Sequence, residues 1–267
     1  MTMESWAVAA PQTIELDGVT ALDVRLQAGR GEVVASAAAT TARIEVIEVG
    51  GRPLQVLRDG GRLRVGYEHS GVEGLFARFK SITDNDRAVV RVTVPTGTAV
   101  DIATVGARAD VSGSAHTVVK TVTGSVQLEG TSGPLSVKTV SGDATVVGHA
   151  GDVNAATVSG VLRLDGPLGR VTAQSVSGEV AVTVRETAPL VTVRTVSGPV
   201  RVRLDAATPL NLKVRGATAQ AMLDGAVLAS TSQRTLSVDH VEPGATGRAA
   251  AYVSATTGTG QVSVTRG

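Results

Sequence analysis

One tetrapeptide recurs through the middle of the chain and constrains its fold more than any other feature. It reads Thr121-Val-Thr-Gly, Thr139-Val-Ser-Gly, Thr157-Val-Ser-Gly, Ser175-Val-Ser-Gly and Thr195-Val-Ser-Gly, with starts 18, 18, 18 and 20 residues apart. A partial copy, Thr104-Val-Gly, begins 17 residues before the first. Self-similarity at such a period marks stacked units, none of which can bury its apolar face alone. Apolar residues alternate after each copy: Val126 and Leu128, Ala144 and Val146, Leu162 and Leu164, Val180 and Val182, Val200 and Val202. The second half of each unit repeats the device: Leu135 and Val137, Val153 and Ala155, Val171 and Ala173, Val191 and Val193. Residues two apart share a strand face, so each unit holds two short strands with one buried side each. The inward parity switches between them, and the intervening glycines account for the bend.

Two arrangements satisfy this pattern. In a β-solenoid each 18-residue unit is one coil, and equivalent residues stack in columns about 4.8 Å apart. In an antiparallel meander each unit is a hairpin. The strict recurrence of residue type at each corner favours the solenoid, because stacking gives every column a common environment. On this reading Val158 belongs inside its corner, since its column is valine in five units. The corner hydroxyls should bond backbone groups locally. Gly142, Gly160 and Gly178 should have positive φ or lie against neighbouring backbone.

The flanks are less regular. Strands are expected at 13–16, 21–26, 32–35, 42–49, 54–57 and 62–67, separated by Asp17-Gly18, Gly29-Arg-Gly31, Gly50-Gly51 and Asp59-Gly-Gly61. Residues 72–82 carry apolar side chains at helical spacing and read as a short amphipathic helix or an apolar loop. After Leu204 fidelity decays: 210–214 and 217–223 read as a less regular coil, and 251–254 and 260–264 as terminal strands. The expected fold is all-β, a β-solenoid of 18-residue two-strand coils with an irregular β N-terminal part and a C-terminal cap. The divisions expected are an irregular β region and cap at 1–95, solenoid repeats at 96–204, and degenerate coils with a cap at 205–267. Caps matter because open strand edges invite pairing.

The irregular β start, the iterated TVSG-x-V-x-V units and the closing Thr257-Gly-Thr-Gly-Gln-Val-Ser-Val resemble the bacterial putative-adhesin family, a domain of unknown function built from β-strand repeats. The match is clearest over 92–204. The resemblance implies a β-solenoid, an adhesin label drawn from fold similarity, and for some members a tie to envelope stress. It supplies no catalytic residues.

Composition and motifs narrow the chemistry. The 267 residues carry 25 Lys+Arg against 24 Asp+Glu, which disfavours specific nucleic-acid binding. With no cysteine there is neither a disulfide framework nor a thiol nucleophile. Phosphate-binding loops, the Gly-x-Ser-x-Gly elbow and the calcium nonapeptide are absent, and no cofactor is expected. His69, His116, His149 and His240 lack metal-ligand spacing and read as exposed loop residues. A polysaccharide-acting β-helix enzyme is the enzymatic alternative, with Asp143, Asp152, Asp165 and Glu179 as its candidate acids. Asp143 and Glu179 share a column but stand two coil spacings apart, and no aromatic stacking platform occurs from 87 to 251. An ice-binding array is disfavoured because the hydroxyls sit at a corner. The expectation is a non-enzymatic structural or binding scaffold.

The candidate partner-binding residues are the basic set Lys120, Lys138, Arg194, Arg201 and Arg203, together with Phe76 and Phe79. The basic set suits an anionic polymer or a membrane surface. The phenylalanines suit either a core cap or a protein partner. Self-association through solenoid ends, as in a cytoskeletal scaffold, would require flat uncapped ends. The first ten residues lack the basic and apolar regions of a secretory signal, and no stretch approaches 18 apolar residues. A cytoplasmic location is therefore expected, with envelope association as the alternative.

Overall fold

Period-2 alternation of apolar residues governs most of the strands in this computed structural model. It describes residues 3–67, 86–186, 188–206, 208–231, 235–243, 245 and 250–267, and all elements among them are β-strands. Residues 72–82, with Phe76 and Phe79, lie outside that set, as does His69. The all-β expectation holds throughout the described residues. The chain divides into two compact units, Met1–Val126 and Gln127–Gly267.

The first unit contains β1 (Met3–Val8), β2 (Gln12–Leu16), β3 (Ala21–Leu26), β4 (Ala28–Ser36), β5 (Ala42–Gly50), β6 (Leu54–Asp59), β7 (Arg62–Gly66), β8 (Arg87–Pro95), β9 (Ala99–Thr104), β10 (Arg108–Ser112) and β11 (Thr117–Thr121). One ladder runs β1–β6–β7–β3–β9–β11, with its last four strands parallel. The other runs β2–β5–β8–β4–β10, with its last three parallel. Leu22 and Val24 are buried beside Leu63 and Val65 on one flank and Val100 and Ile102 on the other. Strands far apart in sequence are thus stacked in parallel, and this is why no fixed period is visible before residue 104.

The second unit follows β12 (Val126–Glu129), which begins at the division. Its strands are β13 (Leu135–Thr139), β14 (Ala144–Val147), β15 (Gly151–Ala156), β16 (Leu162–Gly166), β17 (Leu168–Ser175), β18 (Val180–Val184), β19 (Leu190–Thr195), β20 (Val200–Leu204), β21 (Leu210–Leu223), β22 (Ala226–Thr231), β23 (Leu236–Val241) and β24 (Ala251–Arg266). The pairing is parallel and solenoid-like, between strands one repeat apart. Leu135 faces Val153, Val153 faces Val171, and Val171 faces Val191. In the other ladder Ala144 faces Leu162, then Val180, then Val200. These side chains are at most 3% exposed and form the core between the ladders.

The chain does not stack its last strands in sequence order. β24 lies directly on β19 and β20, and β21 lies beyond it. Thr195 is in register with Thr257, so Thr257-Gly-Thr-Gly continues the column of corners. β21 runs the length of β24 and carries β23 and β22 antiparallel on its far side.

Candidate functional site

The repeated corner is the surface feature that the sequence specifies most strongly. Its inward residue is the Thr or Ser and not the Val. Thr139, Thr157, Ser175 and Thr195 are 6–7% exposed, whereas Val140, Val158, Val176 and Val196 are 38%, 45%, 45% and 57% exposed. This reverses the expectation for Val158. The cause is strand phase: Leu135 and Val137 point inward, and Thr139, two residues on, keeps that parity while Val140 leaves it.

A buried hydroxyl needs a partner, and the corner supplies one. Thr139 Oγ1 donates to the Gly142 carbonyl at 2.9 Å, and Ser175 Oγ to that of Gly178 at 2.9 Å. Thr157 Oγ1 and Thr195 Oγ1 instead accept from the amides of Gly160 and Gly198, at 2.9 and 3.1 Å. The outer hydroxyls of Ser159, Ser177 and Ser197 donate to the carbonyls of Val140, Val158 and Val176 one coil away. The expected local bonding is therefore present, and it extends between coils.

Gly160 and Gly178 meet their expectation through close approach, since neither has positive φ. A Cβ on Gly160 would sit 2.1 Å from the Gly142 carbonyl oxygen, and one on Gly178 1.9 Å from that of Gly160.

Outside the corner, the exposed valines form a straight apolar row of four. The strand residue preceding each corner threonine or serine forms a second, outward row, in which Lys138, Gln174 and Arg194 are exposed and Ala156 is half-buried. Three coil spacings separate Lys138 from Arg194, about 14 Å. Both are exposed and have no ion-pair partner among the described residues. The other basic candidates are carried by other strands. Lys120 is exposed on β11 of the first unit, in register with Ala103. Arg201 and Arg203 are on β20, in the other ladder of the second unit; Arg201 pairs with Glu179, and Arg203 donates to the Gly267 carbonyl at 2.8 Å.

Each candidate acid bonds to the following coil. Asp143 accepts from the Val161 amide at 2.8 Å and Asp152 from the Arg170 amide at 3.0 Å. Asp165 pairs with Arg185 at 3.0 Å and Glu179 with Arg201. Among the described residues no group of three His, Asp or Glu could hold a metal ion.

His149 departs from its expected exposure. It is fully buried, with Nδ1 2.9 Å from Thr131 Oγ1 and Nε2 without a hydrogen-bond partner. Burial lowers the imidazole pKa from its ordinary value, against the opposing pull of backbone groups of Asp152, Gly133 and Thr131. His149 follows the turn glycine Gly148, and the sequence gives it no apolar alternation that would signal an inward side chain. His116 is exposed and His240 half-buried, 3.9 Å from Glu242.

The model of the Toastrack DUF4097 family matches residues 12–265, nearly the whole of this two-ladder chain. The chain belongs to the Toastrack DUF4097 family. Solved structures are similar to this chain at low identity. A putative adhesin from Bacteroides fragilis is 13% identical, with a TM-score of 0.53 over 97% of this chain and 98% of that one. A putative lipid binding protein from Parabacteroides distasonis is 11% identical, with a TM-score of 0.47 over 97% and 98%. A putative adhesin from Parabacteroides merdae is 12% identical, with a TM-score of 0.45 over 98% and 95%. No curated protein matches the sequence. Within this Toastrack chain no helix of the described residues is long and apolar enough to cross a membrane.

Proposed function

We propose that this Toastrack protein is a non-enzymatic scaffold whose 18-residue two-strand coils present a regular surface to an anionic polymer of the cell envelope. The observation that carries this reading is the exposed Lys138–Arg194 row, running beside the row of exposed valines at one coil spacing per residue. Repeating chemistry on a rigid ladder suits a repeating or extended ligand better than a small one. Uncompensated cations on such a surface attract polyanions over a Debye length. The acids favour a scaffold over a glycan-cleaving enzyme. Asp143, Asp152, Asp165 and Glu179 each bond to the next coil, a role that couples coils and lowers their availability as a convergent acid pair.

The test is co-sedimentation with anionic liposomes and with anionic envelope polymers. Binding should weaken steeply as the Debye length contracts from about 10 Å at 0.1 M salt to about 3 Å at 1 M. Replacing Lys138 and Arg194 by Gln should weaken it further without lowering the melting temperature, because exposed charges contribute little to folding. Arg201→Gln serves as the comparison, since Arg201 is already paired with Glu179. Salt-insensitive binding, or equal binding by the double variant, would discard this surface.

A further inference from the structure

The outward face of the ladder β13–β15–β17–β19–β24–β21 carries two rows of polar side chains, one residue per strand in each. The first continues the Lys138–Arg194 row through Thr256 to Arg215. The second lies two residues earlier on every strand and therefore on the same face. It reads Ser136, Asn154, Thr172, Thr192, Ser254 and Lys213, each in register with the next. Its five uncharged members are exposed or half-buried, and none has a side-chain hydrogen bond among the described residues. The corner hydroxyls differ, since Thr139, Thr157, Ser175 and Thr195 are all bonded within the protein. One set of hydroxyls holds the corners, and the other offers its donors and acceptors outward.

Charge marks the same face. Lys138, Arg194 and Arg215 are exposed, at intervals of three and two strand spacings, about 14 and 10 Å. None of the three has an ion-pair partner among the described residues, whereas Lys213 is paired with Asp239 at 3.7 Å. Within these six strands the one carboxylate is Asp152, which accepts from the Arg170 amide at 3.0 Å. The other ladder of this unit pairs its outward acids with arginines, Asp165 with Arg185 and Glu179 with Arg201. One face thus sets uncompensated cations beside a row of hydroxyl and amide groups, and the other carries compensated charge.

We propose that this face binds a linear polyuronate, an acidic polysaccharide with one carboxylate per sugar, laid along the stacking direction. The inference rests on the polyanion reading above and narrows it to one class of polymer. The cations alone would serve any polyanion. The uncharged row adds the selection, because ring hydroxyls both donate to and accept from Ser, Thr and Asn side chains. An extended chain of pyranose rings advances by about one coil spacing per sugar, so successive rings meet successive strands. With a carboxylate on every sugar, one reaches each of Lys138, Arg194 and Arg215 although their intervals differ. Tyr252, half-buried on this face and in register with Leu190, gives the C–H side of a ring an apolar surface to pack on.

The test is calorimetric titration of the full chain at 0.1 M salt with polygalacturonate and alginate oligomers, with polyglutamate of matched length, and with dextran. At least one polyuronate should bind at least tenfold more tightly than polyglutamate, and uncharged dextran should bind most weakly. Thr172→Val/Thr192→Val keeps the β-branched shape and should weaken polyuronate binding about tenfold, with polyglutamate binding and the melting temperature unchanged. Asn154→Asp, at an exposed position, should weaken polyuronate binding by setting a like charge against the carboxylates. Thr183→Val, outward on β18 of the other ladder, should change nothing. Polyglutamate bound as tightly as both polyuronates, or polyuronate binding that neither the threonine variant nor Asn154→Asp alters, would overturn the polysaccharide assignment and leave the polyanion reading standing. No binding of any of the anionic polymers would overturn both.

Discussion

Replacing Gly160 by Ala adds one methyl group at the most crowded feature of the fold. The new Cβ would lie 2.1 Å from the Gly142 oxygen, 2.7 Å from its carbonyl carbon and 3.2 Å from Thr157 Oγ1. Real Cβ contacts keep 3.0 Å, so one coil must move by nearly 1 Å relative to the next. Neither can do so freely, since the ladders on both sides fix the coil spacing. Overpacking of this kind costs about 1–3 kcal/mol. The shift also weakens the Gly160 amide bond to Thr157 Oγ1, a further loss of about 1 kcal/mol. The expected destabilisation is about 2–4 kcal/mol, or roughly 10 °C in Tm for a chain of this size. Gly148→Ala in the same unit is the control. Gly148 has φ +65° but nothing closer than 3.8 Å to its added Cβ, so only the left-handed penalty of about 1–2 kcal/mol applies. Urea and thermal unfolding of both variants decide the matter. If Gly160→Ala costs no more than Gly148→Ala, the close stacking of corners is wrong.

Three further outcomes follow from the corner and the buried histidine. Val158→Asp should change stability by less than about 0.5 kcal/mol in urea unfolding, because the side chain is already in solvent. Thr157→Val should cost about 1–3 kcal/mol by the same assay, since it leaves the Gly160 amide without its partner. Stability should fall as pH drops below about 6.5, the ordinary histidine value, because the unfolded chain protonates before the buried His149 does; the loss should level off below the lowered folded-state pKa. Asp152 is the acid facing that ring, and a His149→Asn chain should lack this component in pH-dependent unfolding.

The repeat made the second unit legible because its inward columns are a strict function of residue number. Leu135, Val137 and Leu162 are buried as the alternation requires. At the corner two cues conflict: valine is the more apolar residue, but Thr157 continues the inward phase of Val153 and Ala155. Parity outweighs hydropathy here because the glycine backbone supplies the hydroxyl's partner. In the first unit the strands were recognisable but their order was not. β3 lies between β7 and β9, and no local signal encodes contacts at that separation. The insertion of β24 between β19 and β21 was hidden for the same reason, although Thr257-Gly-Thr-Gly carried the corner's signature. Of the basic residues, Lys138 and Arg194 share a row as their spacing implies, while the even-to-odd parity change puts Arg201 and Arg203 on the other ladder.

Successive repeats of the second unit stack in parallel, so that each corner lies directly on the one before. The Ser159 and Val158 amides both donate to the Val140 carbonyl, at 2.9 and 3.2 Å. Adjacent corners in a parallel stack are about 4.8 Å apart, within the Cα range of about 4.4–6.8 Å that a disulfide spans. In a meander of hairpins the same residues would be two strands apart, about 9.6 Å. The deciding measurement is disulfide formation in the otherwise cysteine-free chain bearing Val140→Cys and Val158→Cys, read by mass spectrometry after mild oxidation at low protein concentration. Parallel stacking predicts rapid, near-complete intramolecular bonding for this pair and none for Val140→Cys with Val176→Cys; failure of the first pair to bond, or equal bonding by both, would contradict it.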